Sequence, residues 1–197
     1  TFNSNSFYGI YFFSEADNNN FTNIVVSNSG TNDVRLTDNS LNNLFLNVSY
    51  NISLENVAAG SSLTRKWYYQ AYVNDTNGNY VANANVSAYN VSNAYQFNLN
   101  SNASGWTGIG EIIDYVNTGG TRAYYSNYTI YAFNSTHSGN INLNVTLNNN
   151  TFNSVITISQ DNSLPVISSV NSSVNSDNLV EISWTTDEPS NSSVNYG

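Results

Sequence analysis

Residues 18–23 read Asn-Asn-Asn-Phe-Thr-Asn, and residues 42–47 read Asn-Asn-Leu-Phe-Leu-Asn. Both follow the pattern Asn-Asn-x-Phe-x-Asn, displaced by 24 residues. Working outward, the same offset sets Ile10 and Phe12 of GIYFFS beside Val34 and Leu36 of DVRLTD. Each unit therefore holds two short alternating segments parted by Asn, Ser and Gly. A period in the low twenties with short strands is what one coil of a parallel β-helix requires: each strand pairs with its equivalent one coil on, and turn-facing Asn can stack. Residues 1–60 are expected to form such coils.

The rhythm changes over residues 61–161. Trp67, Tyr69, Ala71 and Val73 alternate with more polar neighbours, and Asn77-Gly78 follows as a type I′ hairpin signal. VANANVSAY sets Ala84, Val86 and Ala88 against Asn85 and Ser87, and NYTIYAF sets Tyr128, Ile130 and Ala132 on one face. INLNVTL reads as one strand, with Ile141, Leu143, Val145 and Leu147 inward, and TFNSVITIS closes the region. Six or more short strands with frequent turns suggest a β-sandwich. No stretch has a convincing helical period, and EIIDYV (111–116) is too short and too β-branched for a helix.

Residues 162–197 offer VISSVN, LVEISWTT and SVNY as three more strands, with Val180, Ile182 and Trp184 alternating inward. Three strands fall short of the roughly seven a sandwich wants, so a partial second sandwich is expected. The first coils are likewise fewer than the three repeats usually needed for stability. Both ends read as unfinished, and the missing initiator Met reads as a mature or excised piece.

Composition narrows the function. Among 197 residues, 40 are Asn, 29 Ser and 16 Thr, whereas Lys and Arg total 4 against 13 Asp and Glu, a net charge of −9. Four basic residues do not neutralise a phosphate backbone, which argues against nucleic-acid binding. No apolar run approaches the roughly 20 residues of a membrane span. With no Cys and one His, there is neither a disulfide framework nor a zinc site. An aromatic content of 14%, including 15 Tyr, argues against disorder because such rings can build a core.

Three stretches carry a resemblance. NNNFTNIVVSNSGTNDVRLTDNSLNNLFLNVSYN (18–51) resembles the last coils of a right-handed parallel β-helix of the kind found in archaeal surface proteins. KWYYQAYVNDTNGNYVANANVSAYN (66–90), with SGWTG (104–108) and GGTRAYYSNYTIYA (119–132), resembles the immunoglobulin-like domain that follows such helices. PVISSVNSSVNSDNLVEISWTTDEPSNSSVNYG (165–197) is similar to the opening of a fibronectin type III or purple-acid-phosphatase N-terminal sandwich. Together they cover nearly the whole chain. The resemblance implies an archaeal cell-surface or extracellular structural protein, and it implies no activity.

The chemistry-bearing candidates are few. Asn-x-Ser/Thr sequons begin at Asn20, Asn47, Asn51, Asn74, Asn85, Asn90, Asn102, Asn127, Asn134, Asn144, Asn149, Asn171 and Asn191. Composition alone would produce about 9 of them, so placement matters more than number. In INLNVTL, ANVSAY and NVSYNISL, Asn and Ser/Thr at i and i+2 share the face opposite the apolar residues, as a glycosylated surface requires. Asp33, Asp38, Glu15, Asp17 and Arg35 fall in the coils, but the 24-residue offset sets Asp33 beside Gly9 and Asp38 beside Ser14, so no carboxylate column forms. Glu111 and Asp114 have the look of a glycosidase pair but read as solvated charges. His137 reads as an exposed turn residue. Asp75 with Asn74 and Asn77, or Asp187 with Glu188, offers hard oxygen ligands without a calcium-loop spacing. Trp67, Tyr68 and Tyr69, with Tyr124 and Tyr125, are core or cross-strand rings before they are a sugar platform.

These residues point to a non-enzymatic extracellular structural protein without cofactor or metal. Its partners are N-glycans and copies of itself, joined head to tail by donated strands into a filament or surface layer. An adhesin or carbohydrate-binding surface module is the alternative.

Overall fold

The computed structural model describes residues 1–135, 137–160, 166–174, 180–187 and 193–194. They fall into two compact units, Thr1–Gln160 and Asp161–Gly197. The chain is all-β, and the helices among the described residues are short turns.

In the first unit the strands β1 (Phe2–Asn3), β2 (Tyr8–Phe12), β3 (Asn20–Ser27), β4 (Asn32–Leu36), β5 (Asn43–Ser49), β6 (Glu55–Val57) and β7 (Ser62–Asp75) alternate between two parallel sheets. One runs β1-β3-β5-β7 and the other β2-β4-β6. Phe21 pairs with Phe45, and Ile10 and Phe12 pair with Val34 and Leu36, the 24-residue offset seen in the sequence. The third turn is shorter, since Leu44 pairs with Thr64 and Val34 with Glu55. Between the sheets Phe12, Phe21 and Phe45 meet with ring centroids 5.4–6.1 Å apart, amid buried Ile10, Val26, Val34, Leu36, Val48, Val57 and Leu63.

The corners explain why this region tolerates, and uses, so much Asn. Positive φ recurs at matching positions in successive coils: Ser4 and Asn28, Ser14 and Asp38, Glu15 and Asn39, Asn18 and Asn42, Asn23 and Asn47. Left-handed backbone is steric strain for most L-residues and is best tolerated by Gly, Asn and Asp. Side chains at these corners also link one coil to the next. Asn47 Nδ2 donates to Asn23 Oδ1 at 2.7 Å, and Asn19 Nδ2 to Asn43 Oδ1 at 3.0 Å.

The 14-residue β7 carries the chain from the coils into a second core. Its inward residues are Leu63, Arg65, Trp67, Tyr69, Ala71 and Val73. Around it lie β8 (Asn85–Tyr89), β9 (Tyr95–Asn100), β10 (Gly110–Thr118), β11 (Thr121–Tyr124), β12 (Tyr128–Asn134), β13 (His137–Leu143), α1 (Val145–Asn148) and β14 (Thr151–Gln160). Strand β7 pairs antiparallel with β10 and parallel with both β5 and β14. The path continues β14-β13-β12-β8-β9, and β11 pairs with β10. Trp67, Tyr69, Val86, Ile112, Tyr128, Ile130, Val145, Ile156 and Ile158 fill this core.

Several sequence expectations are corrected here. INLNVTL is not one strand: β13 ends at Leu143, and Asn144 caps α1 by accepting from the Leu147 amide at 3.1 Å. That side-chain bond competes with a strand ladder, and Leu147, expected inward, is 78% exposed. The Asn77-Gly78 turn is not type I′, which needs positive φ at both residues; only Gly78 has it. The Asp75 carboxylate holds the turn instead, accepting from the Asn77 and Asn79 amides at 2.8 and 2.9 Å. EIIDYV lies inside β10, and His137 opens β13, half-buried, rather than sitting in a turn.

In the second unit β15 (Ile167–Val174) pairs antiparallel with β16 (Val180–Thr186). Val180, Ile182 and Trp184 were expected inward, yet Val180 is 62% exposed, Ile182 is exposed and Trp184 only half-buried. With Val194 they line a shallow apolar groove of about 480 Å³. Of the expected third strand, SVNY, only Ser193 and Val194 are described, and neither is in a strand.

Candidate functional site

The sequon asparagines divide by burial. Asn20, Asn51, Asn102, Asn127, Asn149 and Asn171 are exposed, whereas Asn47, Asn74, Asn85, Asn90, Asn134 and Asn144 are half-buried. Asn191 lies outside the described residues. Their partners divide them further. Asn47 donates to Asn23 one coil back and accepts from Asn150 Nδ2 at 2.6 Å, between α1 and β14, so both ends of its amide are engaged. Asn134 Nδ2 donates to the Ala82 carbonyl at 2.9 Å, and Asn74 Oδ1 accepts from Thr157.

In a second set the Asn oxygen accepts from the residue two positions on. Asn20 accepts from the Thr22 hydroxyl, Asn85 from the Ser87 hydroxyl, and Asn51, Asn90 and Asn102 from the amides of Ser53, Ser92 and Ser104. These local bonds engage Oδ1 and leave Nδ2, the atom that would bear a sugar, without a partner among the described residues. In the Asn144 sequon both polar ends are committed: Asn144 caps α1, and Thr146 Oγ1 donates to Asp114 Oδ1 at 2.7 Å.

The acidic candidates do not assemble. Glu111 is at the surface and pairs with Lys66 at 3.0 Å. Asp114 is fully buried, contrary to its reading as a solvated charge. The register shift between Ile113 and Tyr115 places it on the inner face. Its Oδ2 accepts from Arg65 Nε at 2.8 Å and Nη2 at 2.5 Å, and from Trp67 Nε1 at 3.4 Å. The Arg65 guanidinium also lies 4.8–5.5 Å from the ring centres of Tyr115, Trp67 and Tyr50. Burial opposes that charge, but Tyr115, Tyr50 and Asp114 together raise the Arg65 pKa above its ordinary value.

Beside it Glu55 accepts from the Tyr50 and Tyr115 hydroxyls, from Asn117 Nδ2 at 2.6 Å and from Arg122 Nε at 2.8 Å. Burial first, and the Glu55 charge second, push both tyrosines far above the usual phenol range. Both Glu55 oxygens have protein donors, while the buried Asn117 Oδ1 has no partner among the described residues; the chemistry of the cluster is that of a clamp where the coils meet the second core. Sequence reasoning missed it, although Arg65 falls on the inward register of Leu63, Trp67 and Tyr69. Glu55 carries no comparable signal.

The remaining candidates are dispersed. Asp33 is buried and accepts from the Ser29 and Asn51 amides, whereas Asp38, Glu15 and Asp17 are exposed. Arg35 lies 5.0 and 5.6 Å from the Tyr8 and Tyr11 rings. Asp75 is held below the usual carboxylate range, chiefly by the Asn79 side chain and backbone. Asp187 accepts from the Val166 amide, and Glu188 is outside the described residues. Among the described residues no group of three or more His, Cys, Asp or Glu converges on a metal position. Trp67 and Tyr69 are core, Tyr68 lies against Phe152, and Tyr124 against Tyr115.

No protein-family model matches this chain, and neither does any curated protein or solved structure. No described helix is long and apolar enough to cross a membrane.

Proposed function

We propose that the chain is a structural segment of a glycosylated extracellular filament or surface layer, of the kind its resemblance to archaeal surface proteins suggests. In this reading residues 1–60 are coils of a parallel β-helix, residues 61–161 an immunoglobulin-like sandwich, and residues 162–197 part of a fibronectin type III-like module. One observation carries it: corners and pairings repeat at 24 residues, and the ladder passes without a break into β7, the central strand of the next core. Such stacking transmits load through continuous backbone hydrogen bonds rather than through a hinge.

The exposed apolar face of β15 and β16 supports assembly by a strand contributed from another copy. An unpartnered edge with apolar side chains is a template for β-addition. Sequon asparagines with unengaged Nδ2 atoms support N-glycan attachment.

Electron microscopy of the purified secreted protein, with intact mass before and after deglycosylation, tests the reading. Extended assemblies of mass-shifted subunits are expected. Dispersed, unmodified particles of about 21.6 kDa would overturn it.

A further inference from the structure

Strand β8 carries the sequon Asn85-Val86-Ser87 with Val86 buried and both polar residues on the outer face. Across the ladder on β12, Asn85 pairs with Phe133 and Ser87 with Tyr131. On the other side, Asn85 pairs with Asn100 and Ser87 with Asn98 of β9. The acceptor thus lies between a wall of rings and a wall of amides. Tyr131 and Phe133 are 47% and 52% exposed, though they sit over a packed sheet. With Asn85, Ser87, Tyr89 and Asn93 they line a hollow of about 610 Å³ whose described lining residues are all uncharged. Tyr89 braces Tyr131 edge-on, with centroids 5.8 Å apart at 83°.

Inside the hollow, Ser87 Oγ donates to Asn85 Oδ1 at 2.6 Å, and Asn85 Nδ2 has no partner among the described residues. We infer that Asn85 is a glycan acceptor whose first sugar folds back into this hollow, its C–H face against Phe133 and Tyr131 and its hydroxyls toward Asn98 and Asn100. Neutral rings and amides match a neutral pyranose, whose faces are apolar and whose rim donates and accepts hydrogen bonds. Attachment to Asn85 makes that stacking intramolecular, so it escapes the association cost a free sugar would meet. The inference rests on the proposed glycosylation and deepens it, from sugars as a coat to one sugar as part of the fold.

The test uses the whole chain secreted from a host that performs N-glycosylation. Peptide mass mapping reads Asn85 occupancy. Thermal unfolding before and after enzymatic glycan removal is compared for wild type, Asn85→Gln and Tyr131→Ala/Phe133→Ala. Removal is expected to lower the wild-type midpoint by about 2–4 °C more than that of either variant. In wild type, proton NMR should show upfield-shifted ring protons on the first sugar, a readout independent of whether the variants fold. A bare Asn85 beside occupied Asn20 or Asn102 overturns this inference and leaves the proposed function standing. So does equal destabilisation in the ring variant, or unshifted sugar protons. A chain without glycan at any sequon overturns both.

Discussion

Replacing Asp114 with Asn keeps the shape of the side chain and removes its charge, leaving Arg65 buried among three rings with no counterion. The guanidinium is 7% exposed and the carboxylate fully buried, so water cannot take the lost partner's place. Breaking one half of a buried ion pair costs about 3–5 kcal/mol. Cation–π contacts from Tyr115, Trp67 and Tyr50, each worth roughly 0.5–2 kcal/mol, already stabilise the charge in the parent and do not grow when Asp114 goes. For a unit of this size, about 2–4 °C of midpoint is lost per kcal/mol, giving a fall of about 6–20 °C. Thermal unfolding followed by tryptophan fluorescence suits the assay, because Trp67 Nε1 itself points at Asp114 Oδ2. The double variant Arg65→Met/Asp114→Leu removes both charges and should recover most of the loss, since an apolar pair in place of a buried ion pair is often neutral. A single variant within about 2 °C of wild type would refute the reasoning. A double variant as unstable as the two single losses added together would do the same, because the charges would then not be acting on each other.

The same contacts set three further outcomes. Asn47→Ala should cost about 1–3 kcal/mol in urea unfolding by removing its bonds to the exposed Asn23 Oδ1 and the half-buried Asn150 Nδ2 and by placing Ala at positive φ, and the Asn47 peptide should keep its unmodified mass in a glycosylating host. Stability should hold up to about pH 10 and then fall as pH rises toward 12. The unfolded phenols ionise near pH 10, while burial keeps Tyr69 protonated to about 12 and also raises Tyr50, Tyr115 and Tyr128. Each such tyrosine contributes about 1.4 kcal/mol per pH unit of loss, and phenolate absorbance reaching the amplitude of all 15 tyrosines near pH 10 without unfolding would contradict the burial argument. Gly9→Ala should lower the urea midpoint, because a Cβ there would sit 2.2 Å from Val26 Cγ1 and 2.6 Å from the Asp33 carbonyl oxygen, and overpacking costs about 1–3 kcal/mol.

Parallel pairing was legible in the sequence because register is set by the inward residues. Phe21 over Phe45 and Phe12 beside Leu36 are the same residues that mark the repeat. Inward alternation along β7, β8 and β12 was legible for the same reason. What failed was local: Asn144 turns INLNVTL into α1 through one side-chain bond, and Asp75 sets the geometry of the Asn77-Gly78 turn. Apolar periodicity cannot register such bonds, because they act on the backbone through polar atoms. The buried charges were hidden differently. A period-2 pattern scores Arg65 and Asp114 as exceptions, and each becomes acceptable inside only because the other is 2.5 Å away across 49 residues of chain.

The abundance of Asn now has a cause independent of sugar. Asn18, Asn23, Asn28, Asn39, Asn42 and Asn47 all have positive φ at corners that repeat from coil to coil, where most other L-residues would be strained. Corner amides then bond across coils, as Asn47 does with Asn23, so the same residue type is favoured twice. A chain selected for such corners, and rich in Ser and Thr, generates Asn-x-Ser/Thr by chance. Asn47 is the clearest case: its backbone favours Asn, Asp or Gly, its amide is spent, and Ser49 follows it. Asn149, at positive φ after α1, has a similar backbone reason to be Asn. Glycan attachment is therefore best sought where neither reason applies. Asn85 and Asn102 adopt no left-handed backbone, support no coil, and keep Nδ2 without a partner among the described residues; Asn85 alone of these two sits between exposed rings and amides.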